Sequence, residues 1–531
     1  MLQTIRSTRG MAVAPHSLAA QSAVDVLRDG GNAIEAMIAA ASTIAIVYPH
    51  MNSIGGDGFW TISCPDRPVV SIEACGGAAA SVSSAYYTDK GYNRIPSRGA
   101  DAANTVAGTI GGWQEALAIS ESWGGRLPLG RLLESAISYA ADGIAVTASQ
   151  ARTTDKKLEE LKGIPGFADT FLMDGLAPQT GSRMRLDRLG RTLKMLADDG
   201  LDSFYRGRVG AIMAKELKAL GSPVSVDDLA SYRARVRTPL ELEHSLGKIY
   251  NTAPPTQGVV SLIILGLLDR LDIGGFDPES PEYIHLVVEA TKQAFAVRDS
   301  HITDSDHMGL DPQRFLDKDH LDALAGRISL DRAGSWGQGL GPGDTVWMGV
   351  IDGEGRAVSF IQSTYHEYGS GMVLPETGVN WQNRGCSFSL DPQHINALHP
   401  KKKPFHTLNP ALARLNDGRA IVYGTMGGDG QPQTQAAVFT RYAHHGYPMQ
   451  KAITAPRWLL GRTWGEDSDS LKLEARFPQA TRQKLEALGH QVEMLDDFDE
   501  LVGHAAGVVH HPNGVFEGGC DPRSDGGVAA F

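Results

Sequence analysis

Residues 343–355 read GDTVWMGVIDGEG, and the apolar run within them begins at a threonine, Thr345. A second run with a period of two, AVSFIQSTYH at 357–366, follows directly, and a third, AIVYGTMGG, occupies 420–428. Runs of this kind, bounded by turn residues, predict successive β-strands. We therefore expect a sheet in which one strand begins at a hydroxyl-bearing residue, just after a Gly-Pro-Gly-Asp segment typical of a mobile connection.

Two helices are expected near the start of the chain. Residues 17–29 carry apolar side chains at helical spacing and end at Gly30-Gly31, where a left-handed cap is easiest. Asn32 can cap a second helix that runs to Val47. This second helix is apolar on every side, which predicts that it is buried.

The rest of the chain divides into a helical part and a mixed part. Residues 110–300 are predicted to be mostly helical, and residues 301–343, rich in Asp and Gly, to form an exposed connection. Helices are expected again at about 434–445 and 478–488. Since strands lie between buried helices on both sides, the sequence predicts a layered α/β architecture.

Composition excludes several classes of function. A net charge of −12 on 531 residues argues against a nucleic-acid surface, which needs clustered basic residues. The one basic run, Lys401-Lys402-Lys403, is interpreted as a solvated loop. No apolar stretch has the length of a signal-peptide core or a membrane helix, so we expect a cytoplasmic protein with no membrane partner.

Metal and cofactor chemistry is not indicated either. The four cysteines are widely spaced without a CxxC pair, so neither a disulfide framework nor a zinc site is expected. The pairs His444-His445 and His510-His511 lack ligand spacing and are interpreted as surface residues. We therefore expect neither a metal nor a cofactor.

Thr345 raises a chemical question. A threonine hydroxyl is a poor nucleophile unless a base lies within hydrogen-bond reach, and no other nucleophile motif appears in the chain. If the chain is cut between Asp344 and Thr345, the new α-amino group, with a pKa near ~7.7–8.0, can serve as that base. From spacing alone, a threonine that merely begins a strand is the simpler interpretation.

Longer motifs, in order along almost the whole chain, favour catalysis. They are GMAVAPHSLAAQSAVDVLRDGG, DTVWMGVIDGEGRAVSF, YGSGMVLPETG, KKKPFHTLNPAL, GTMGGDGQPQTQ and DPRSDGG. With them the chain resembles the γ-glutamyltranspeptidase family of N-terminal-nucleophile hydrolases. The resemblance implies a four-layer αββα sandwich with a largely helical insertion in the N-terminal half. It also implies a proenzyme that cleaves itself into a large subunit, 1–344, and a small subunit, 345–531, and it allows a dimer of such heterodimers.

The resemblance assigns roles to individual residues. Thr345 matches the family's nucleophile, and Gly427-Gly428 match the pair whose backbone N–H groups bind the developing oxyanion. Ser363 and Thr407 match hydroxyl positions beside the nucleophile, and His406 and Thr407 stand where the family has paired serines. An ordinary glycine turn and ordinary strand hydroxyls are the alternatives.

Other positions depart from the family's pattern. The segment SIEACGGAAAS holds Glu73 or a glycine where glutathione-cleaving members have an arginine for the γ-glutamyl carboxylate. Tyr365 replaces an asparagine, and Arg384 and Ser387 replace acidic and amide residues. The gained arginine offers a fork-shaped donor suited to a carboxylate, with a plain surface arginine as the alternative.

These departures resemble a branch of the family that includes glutaryl-cephalosporin acylases and amidohydrolases acting on oxamate. We therefore expect a self-processing amidohydrolase that cleaves a small carboxylate-bearing amide through a threonine acyl-enzyme. Oxamate, giving oxalate and ammonia, is the narrowest prediction. The alternatives are γ-glutamyl hydrolysis or transfer on glutathione-like compounds, a glutaryl-amide acylase, and a processed but catalytically silent binding protein.

Overall fold

The computed structural model describes residues 3–336, 344–461 and 468–531. For Asp344 it describes the backbone and not the side chain. The last part of the predicted mobile connection, 337–343, thus lies outside the described residues. The strands of the described part are β1 (Ile5–Ser7), β2 (Gly10–Ala14), β3 (Asp57–Ser63), β4 (Val70–Ala74), β5 (Ile144–Ala145), β6 (Arg183–Met184), β7 (Arg235–Arg237), β8 (Leu240–His244), β9 (Gly247–Asn251), β10 (Asp344–Asp352), β11 (Ala357–Tyr365), β12 (Ala411–Leu415), β13 (Ala420–Gly424), β14 (Trp458–Leu460), β15 (Leu471–Glu474), β16 (Val492–Leu495), β17 (Ala506–His510), β18 (Phe516–Cys520) and β19 (Gly527–Ala530).

Helices occupy much of the remaining chain. They are α1 (Ser17–Arg28), α2 (Ala33–Val47), α3 (Ser84–Thr88), α4 (Thr109–Ser122), α5 (Leu129–Asp142), α6 (Ala148–Leu161), α7 (Phe167–Phe171), α8 (Asp187–Asp199), α9 (Ser203–Arg206), α10 (Arg208–Leu220), α11 (Val226–Ser231), α12 (Gly258–Arg270), α13 (Pro281–His301), α14 (Lys318–Ala325), α15 (Gly430–Ala443), α16 (Met449–Thr454) and α17 (Gln479–Ala487). Among the helices of the described ranges, none has the length and apolar content needed to cross a bilayer.

Most strands belong to two seven-stranded sheets. The first sheet has the order β19-β2-β10-β11-β3-β4-β7, and the second sheet the order β1-β18-β17-β13-β12-β9-β8. Every neighbouring pair in both sheets runs antiparallel. Because antiparallel strands alternate in direction, the starts and ends of adjacent strands meet at the same edge of a sheet.

The two sheets pack face to face. Phe59 of the first sheet and Val422 of the second belong to one buried apolar cluster between them. Between the sheets, Trp347 of β10 lies against Gly424 of β13. A Cβ on this glycine would stand 2.3 Å from the indole ring. Gly424 is therefore required where the strand carrying Thr345 crosses the second sheet.

Helices cover the outer face of each sheet. Buried residues of α1, α2, α4 and α5 form one apolar cluster with the first sheet, and those of α12, α13 and α15 form another with the second sheet. The layers follow the order helix, sheet, sheet, helix, which confirms the predicted αββα sandwich. The helices α3 to α11, between β4 and β7, form the predicted insertion in the N-terminal half.

The start of α2 shows why the sequence folds locally as expected. The side-chain oxygen of Asn32 accepts the N–H groups of Ile34 at 3.0 Å and Glu35 at 3.1 Å, while the Glu35 carboxylate accepts the N–H of Asn32 at 2.9 Å. This capping box satisfies N–H groups that a helix start otherwise leaves unpaired. All residues of α2 are buried, as its apolar composition predicts.

Two predicted segments contain more than was predicted. The stretch 110–300 is mostly helical, as predicted, but β7, β8 and β9 also lie within it, and β7 and β8 each form an edge of one sheet. The signal was the alternation in LELEH of β8, whose leucines are buried while Glu243 is exposed. Residues 301–336 are not merely a connection, because they include α14, whose Leu321 and Leu324 are buried.

The lysine run 401–403 is not a solvated loop. Lys402 is buried and its ammonium donates to the carbonyls of Ile395 at 2.8 Å and Ala397 at 3.2 Å. Lys403 is also buried and pairs with the Glu73 carboxylate at 2.6 Å. The interpretation from sequence was wrong because these acceptors come from chain segments that sequence spacing does not bring together.

The histidine pairs expected on the surface are half-buried. Ligand atoms of His444, His244 and Asp269 lie within 4.8 Å of one another. However, His244 Nδ1 accepts the N–H of Leu246 at 3.2 Å, so the proton of the neutral ring sits on Nε2. This nitrogen therefore has no lone pair to offer a metal ion.

Candidate active site

The predicted nucleophile lies where three strands of the first sheet meet. β10 begins at Asp344, β11 ends at Tyr365 and β3 begins at Asp57, and antiparallel pairing places these ends at one edge. Ser363 pairs with Asp57 across β11 and β3, and Asp344 pairs with Tyr365 across β10 and β11. The register therefore brings the predicted residues Thr345, Ser363 and Tyr365 together.

A β-bulge in the pairing of β10 with β11 lies at Thr345. The pairing shifts between Asp344 and Val346, because these residues pair with Tyr365 and Gln362, so two residues of β11 stand opposite Thr345 alone. Thr345 is 1% exposed, and within the described part of the chain its hydroxyl finds no hydrogen-bond partner. A buried hydroxyl without a partner is costly, and bulges commonly re-aim a side chain beside active sites.

The end of β11 is shaped around the same point. Ser363 Oγ accepts the backbone N–H of Tyr365 at 2.8 Å. Tyr365 itself has a φ of +84°, a conformation rare for a residue with a side chain. The chain thus turns sharply after β11 and carries the Tyr365 ring away from the strand.

The second sheet supplies the glycine pair. Gly427 and Gly428 follow β13 with φ values of +117° and +52°, which favour glycine. Gln257 Nε2 donates to the carbonyls of Thr407 at 2.8 Å and Gly428 at 2.9 Å, tying the approach to β12 to this turn. Among the described residues neither glycine N–H has an acceptor, so both are available to a ligand oxygen.

Arg384 is a buried cation with no ion pair among the described residues. It begins a short 3₁₀ turn, Arg384–Ser387, is 1% exposed, and its guanidinium carbon lies 3.8 Å from the Tyr365 ring centroid. Neither Nη1 nor Nη2 has a hydrogen-bond partner among the described residues. Burial lowers the pKa of this guanidinium, because the charged form has lost its water. Such a group is stable only with an anionic partner, which a substrate can supply.

Asn104 positions this arginine and was missed by sequence reasoning. Gly385 packs against the Asn104 side chain so closely that a Cβ on the glycine would stand 1.7 Å from Asn104 Oδ1. Asn104 Nδ2 donates to the Tyr87 hydroxyl at 2.5 Å, which holds the side chain in place. No pattern in the sequence around Asn104 signals this contact.

His406 is held at both ring nitrogens. Nδ1 lies 2.8 Å from the Pro404 carbonyl and Nε2 lies 2.9 Å from Asp57 Oδ2. A carbonyl only accepts, so Nδ1 carries a proton and the second contact holds one proton between His406 and Asp57. Burial, followed by the charge of Arg384, lowers the pKa of His406. The predicted substrate-binding role would need one of these bonds to break.

Asp57 is the second residue that sequence reasoning missed. Its other oxygen, Oδ1, accepts the backbone N–H of Gly108 at 3.0 Å and Gln382 Nε2 at 3.1 Å. The carboxylate therefore joins β3 to the start of α4, to the segment that leads into Arg384 and to His406. Its position in GGDGFW, at the turn before a strand, was the available signal.

The two remaining predicted residues, Ser387 and Thr407, differ in whether their hydroxyl has a hydrogen-bond partner among the described residues. Ser387 is half-buried and its hydroxyl donates to the Phe405 carbonyl at 3.3 Å. Thr407 is buried, and its hydroxyl has no partner within the described ranges. Thr407 thus resembles Thr345 and Arg384 in offering a buried polar group to a ligand.

Acidic groups at this edge already have partners. Glu73, where the family's arginine was expected, pairs with Lys403 at 2.6 Å and Arg237 at 3.3 Å. Asp429, next to the glycine pair, bonds to Arg298 at 2.9 Å. Together with Asp57, these carboxylates are engaged inside the protein, so they are poorly placed to bind a substrate ammonium.

An αββα sandwich with such a hydroxyl at the start of a central strand is the architecture of amide-cleaving hydrolases of the N-terminal-nucleophile class, and this chain is one of them. It belongs to the γ-glutamyltranspeptidase family, whose sequence model, described as gamma-glutamyltranspeptidase, matches residues 19–531.

The similarity to known proteins extends over almost the whole length of this chain. The chain is 59% identical to the oxamate amidohydrolase proenzyme of Klebsiella pneumoniae, over 99% of each chain. It is 39% identical to a glutathione hydrolase-like proenzyme of Bacillus subtilis, over 100% of each. Among solved structures, the cephalosporin acylase of Bacillus halodurans is similar with a TM-score of 0.91 and 32% identity, covering 100% of this chain and 97% of that one.

Proposed function

We propose that the chain cleaves itself between Asp344 and Thr345 and then hydrolyses the amide bond of a small carboxylate-bearing substrate through Thr345. Oxamate, converted to oxalate and ammonia, is the substrate we propose. The substrate class is inferred from Arg384, a buried guanidinium whose two terminal nitrogens have no hydrogen-bond partner among the described residues. A carboxylate matches the geometry of that fork.

Self-cleavage is the first step. The Thr345 hydroxyl attacks the carbonyl carbon of Asp344, the peptide C–N bond breaks, and the acyl group moves from nitrogen to oxygen as an ester. Water then opens the ester, leaving a carboxylate on residue 344 and a free amine on residue 345. Residues 1–344 and 345–531 become the two subunits, and the similarity to proenzymes supports this processing.

Hydrolysis uses the group that cleavage creates. The α-amine of Thr345 takes the proton of its own hydroxyl, whose oxygen attacks the substrate carbonyl. The N–H groups of Gly427 and Gly428 stabilise the oxyanion, the amine passes the proton to the leaving nitrogen, and ammonia departs. Water attacks the resulting ester and releases the second carboxylate. Oxamate and water thus give oxalate and ammonia.

The charge arrangement favours this substrate class over γ-glutamyl compounds. A γ-glutamyl group brings an ammonium next to its carboxylate, and reading that ammonium needs a free acidic side chain. Asp57, Glu73 and Asp429 are all engaged with internal partners. The 59% identity to an oxamate amidohydrolase supports the same choice.

A glutaryl amide is the second candidate. It also carries a carboxylate without an ammonium, so Arg384 suits it, and a cephalosporin acylase has a similar structure at 32% identity. The two candidates differ in the distance between carboxylate and amide, which is one carbon–carbon bond in oxamate. A longer substrate needs Arg384 farther from Thr345.

A hydrolysis screen tests the proposal. The purified, processed protein is incubated with oxamate, glutathione, a γ-glutamyl anilide and glutaryl amides, and the released amine and acid are measured. We expect the highest kcat/KM for oxamate. Preference for glutathione would contradict the proposal, and the absence of an acyl-enzyme burst with any activated amide would identify a silent binding protein.

A further inference from the structure

A surface cavity is lined in part by Tyr365, the residue whose ring stacks on Arg384. It has a volume of about 580 Å³, with residues 92–98 on one wall and Tyr365, His366 and Cys386 on the other. The Tyr365 ring stacks on Arg384 behind this wall, at 3.8 Å, and on the His366 ring, at 4.4 Å. The ring of Tyr365 therefore separates the cavity from the buried guanidinium.

Within the described part of the chain, the charged residues that line this cavity are both arginines, although the Glu160 and Glu367 carboxylates pair with one of them, Arg98. The cavity is lined by Arg94 and Arg98 and by no carboxylate, although the whole chain has a net charge of −12. Arg98 is held by the Glu160 carboxylate at 2.6 Å and by the carbonyl of Glu367 at 2.7 Å. Arg94 is exposed and has no ion pair within the described residues, so its charge faces the cavity mouth without compensation.

Arginine charges act on two side chains of the opposite wall, Cys386 and His366. Burial raises the pKa of the Cys386 thiol to about 12, against the opposing influence of Arg384, Arg98 and Arg94. Burial lowers the pKa of His366 well below its usual range, and Arg98, Arg384 and Lys157 lower it further. The three arginines thus act on the same enclosed space, where low-dielectric walls focus the field.

We propose that this cavity is the entrance to the active site and that it collects anions, drawing small carboxylate-bearing amides to Arg94 and then to Arg384. The inference rests on the proposed function for the direction of transfer, from Arg94 outside to Arg384 inside. The ligand class is a small organic monoanion. Tyr365 is the last side chain that such a ligand passes, since it lines the cavity and its ring stacks on Arg384.

Reaction of Cys386 with charged thiol reagents tests the entrance without any hydrolysis. An anionic and a cationic methanethiosulfonate of similar size each form a mixed disulfide, as the thiolate displaces methanesulfinate. Peptide mass spectrometry gives the rate at Cys386 and, as an internal reference, at the half-buried Cys64. The high thiol pKa slows both reagents equally and cancels in their ratio.

We expect the anionic reagent to be favoured at Cys386, relative to Cys64, by about tenfold or more at low ionic strength, and this preference to weaken in high salt. Arg94→Gln should lower the preference by about threefold or more. Arg208→Gln is the matched control, because Arg208 is exposed on α10, has no ion pair among the described residues and changes the net charge equally.

An unchanged ratio in Arg94→Gln, or an equal change in Arg208→Gln, would overturn the proposal. A Ser97→Cys variant places a second reporter on the facing wall and should behave in the same way. Failure of both thiols to react means that the cavity does not admit solutes, which also overturns it. If the ratio of anionic to cationic reagent rates changes as expected while oxamate is not hydrolysed, the proposed entrance is supported and the proposed substrate is contradicted.

A kinetic measurement connects the entrance to turnover. Oxamide, the uncharged diamide, serves as the comparison for oxamate. In Arg94→Gln, kcat/KM for oxamate should fall severalfold and depend less on salt, because Arg384 still attracts the anion, while kcat and all values for oxamide stay as in the unmodified protein. An equal loss with both substrates would show that Arg94 is only structural.

Discussion

The guanidinium of Arg384 stacks on the ring of Tyr365, with its central carbon 3.8 Å from the ring centroid. Tyr365 presents that ring from a backbone with a φ of +84°, which the bonded end of β11 imposes. Stacking covers one face of the guanidinium, and at its edge Nη1 and Nη2 have no hydrogen-bond partner in the described ranges. The fork is therefore oriented and desolvated before a ligand arrives, which reduces the ordering cost of binding a carboxylate.

Thr345→Ala should remain a single chain of full length. Without the hydroxyl no ester can form at the Asp344 carbonyl, so cleavage has no first step. Thr345→Ser is the matched control and should still be cut, because it keeps the hydroxyl. Denaturing gels and intact mass measure this, and an unmodified protein that hydrolyses amides while uncut would refute the N-terminal-amine mechanism.

Arg384→Ala should lower kcat/KM for oxamate roughly tenfold to more than a hundredfold, since a charged hydrogen bond contributes about 1.5–3 kcal/mol. Arg384→Lys should also be impaired, because an ammonium lacks the planar fork. Self-cleavage should be intact in both variants. Oxamide should lose far less than oxamate, and equal losses would assign Arg384 a structural role.

Gly428→Ala should lower kcat by about 10²-fold, the typical effect of losing one oxyanion donor. A side chain strains the backbone at a φ of +52° and moves the N–H away from the substrate oxygen. Gly446→Ala is the matched control, since Gly446 has a φ of +66° and open space around its Cβ position. If both variants lose turnover equally, the glycine pair has no special function.

Gly385→Ala should weaken oxamate hydrolysis by displacing Arg384. The new Cβ would stand 1.7 Å from Asn104 Oδ1, so the turn has to move. Adding Asn104→Ala removes that oxygen and should restore part of kcat/KM. A double variant no better than Gly385→Ala alone would show that the Asn104 contact does not position Arg384.

Asp521→Asn should destabilise the protein by about 3–5 kcal/mol at neutral pH, because it leaves the buried Arg457 without its carboxylate partner, whereas Arg523 keeps Glu474. Asp521 bonds to Arg457 at 2.6 Å and Arg523 at 3.0 Å. Thermal unfolding measures the loss, and Asp496→Asn, at an exposed site without an ion pair in the described residues, should leave Tm nearly unchanged.

The same carboxylate predicts an acid transition. Burial alone would raise the pKa of Asp521, but Arg457 and Arg523 lower it to about 2. A depressed folded-state pKa means that the stabilisation is present above pH ~4 and is lost as the pH falls from there toward ~2. The unmodified protein should therefore lose stability over this range, whereas Asp521→Asn should lack that component.

Several local features could be read from the sequence because nearby residues specify them. Asn32 and Glu35 lie three positions apart and form the capping box of α2, and the distant Asp352 adds to it by accepting the N–H of Ala33. The alternating run after Thr345 became β10, whereas the equally regular LELEH was overlooked within a stretch taken as helical. Local patterns thus predicted many of the helices and strands. The strand β8 was missed because its alternating pattern lies between segments with helical spacing.

By itself, the sequence determined the layered αββα class, the position of Thr345 at a strand start and the arginine gained at 384. Only the tertiary structure decided that Arg384 is buried without a partner among the described residues, that His406 is bound by Asp57, and that Lys403 neutralises Glu73. These relationships join residues far apart in the chain. Their physical basis is desolvation and charge pairing, which depend on where the backbone brings distant groups together.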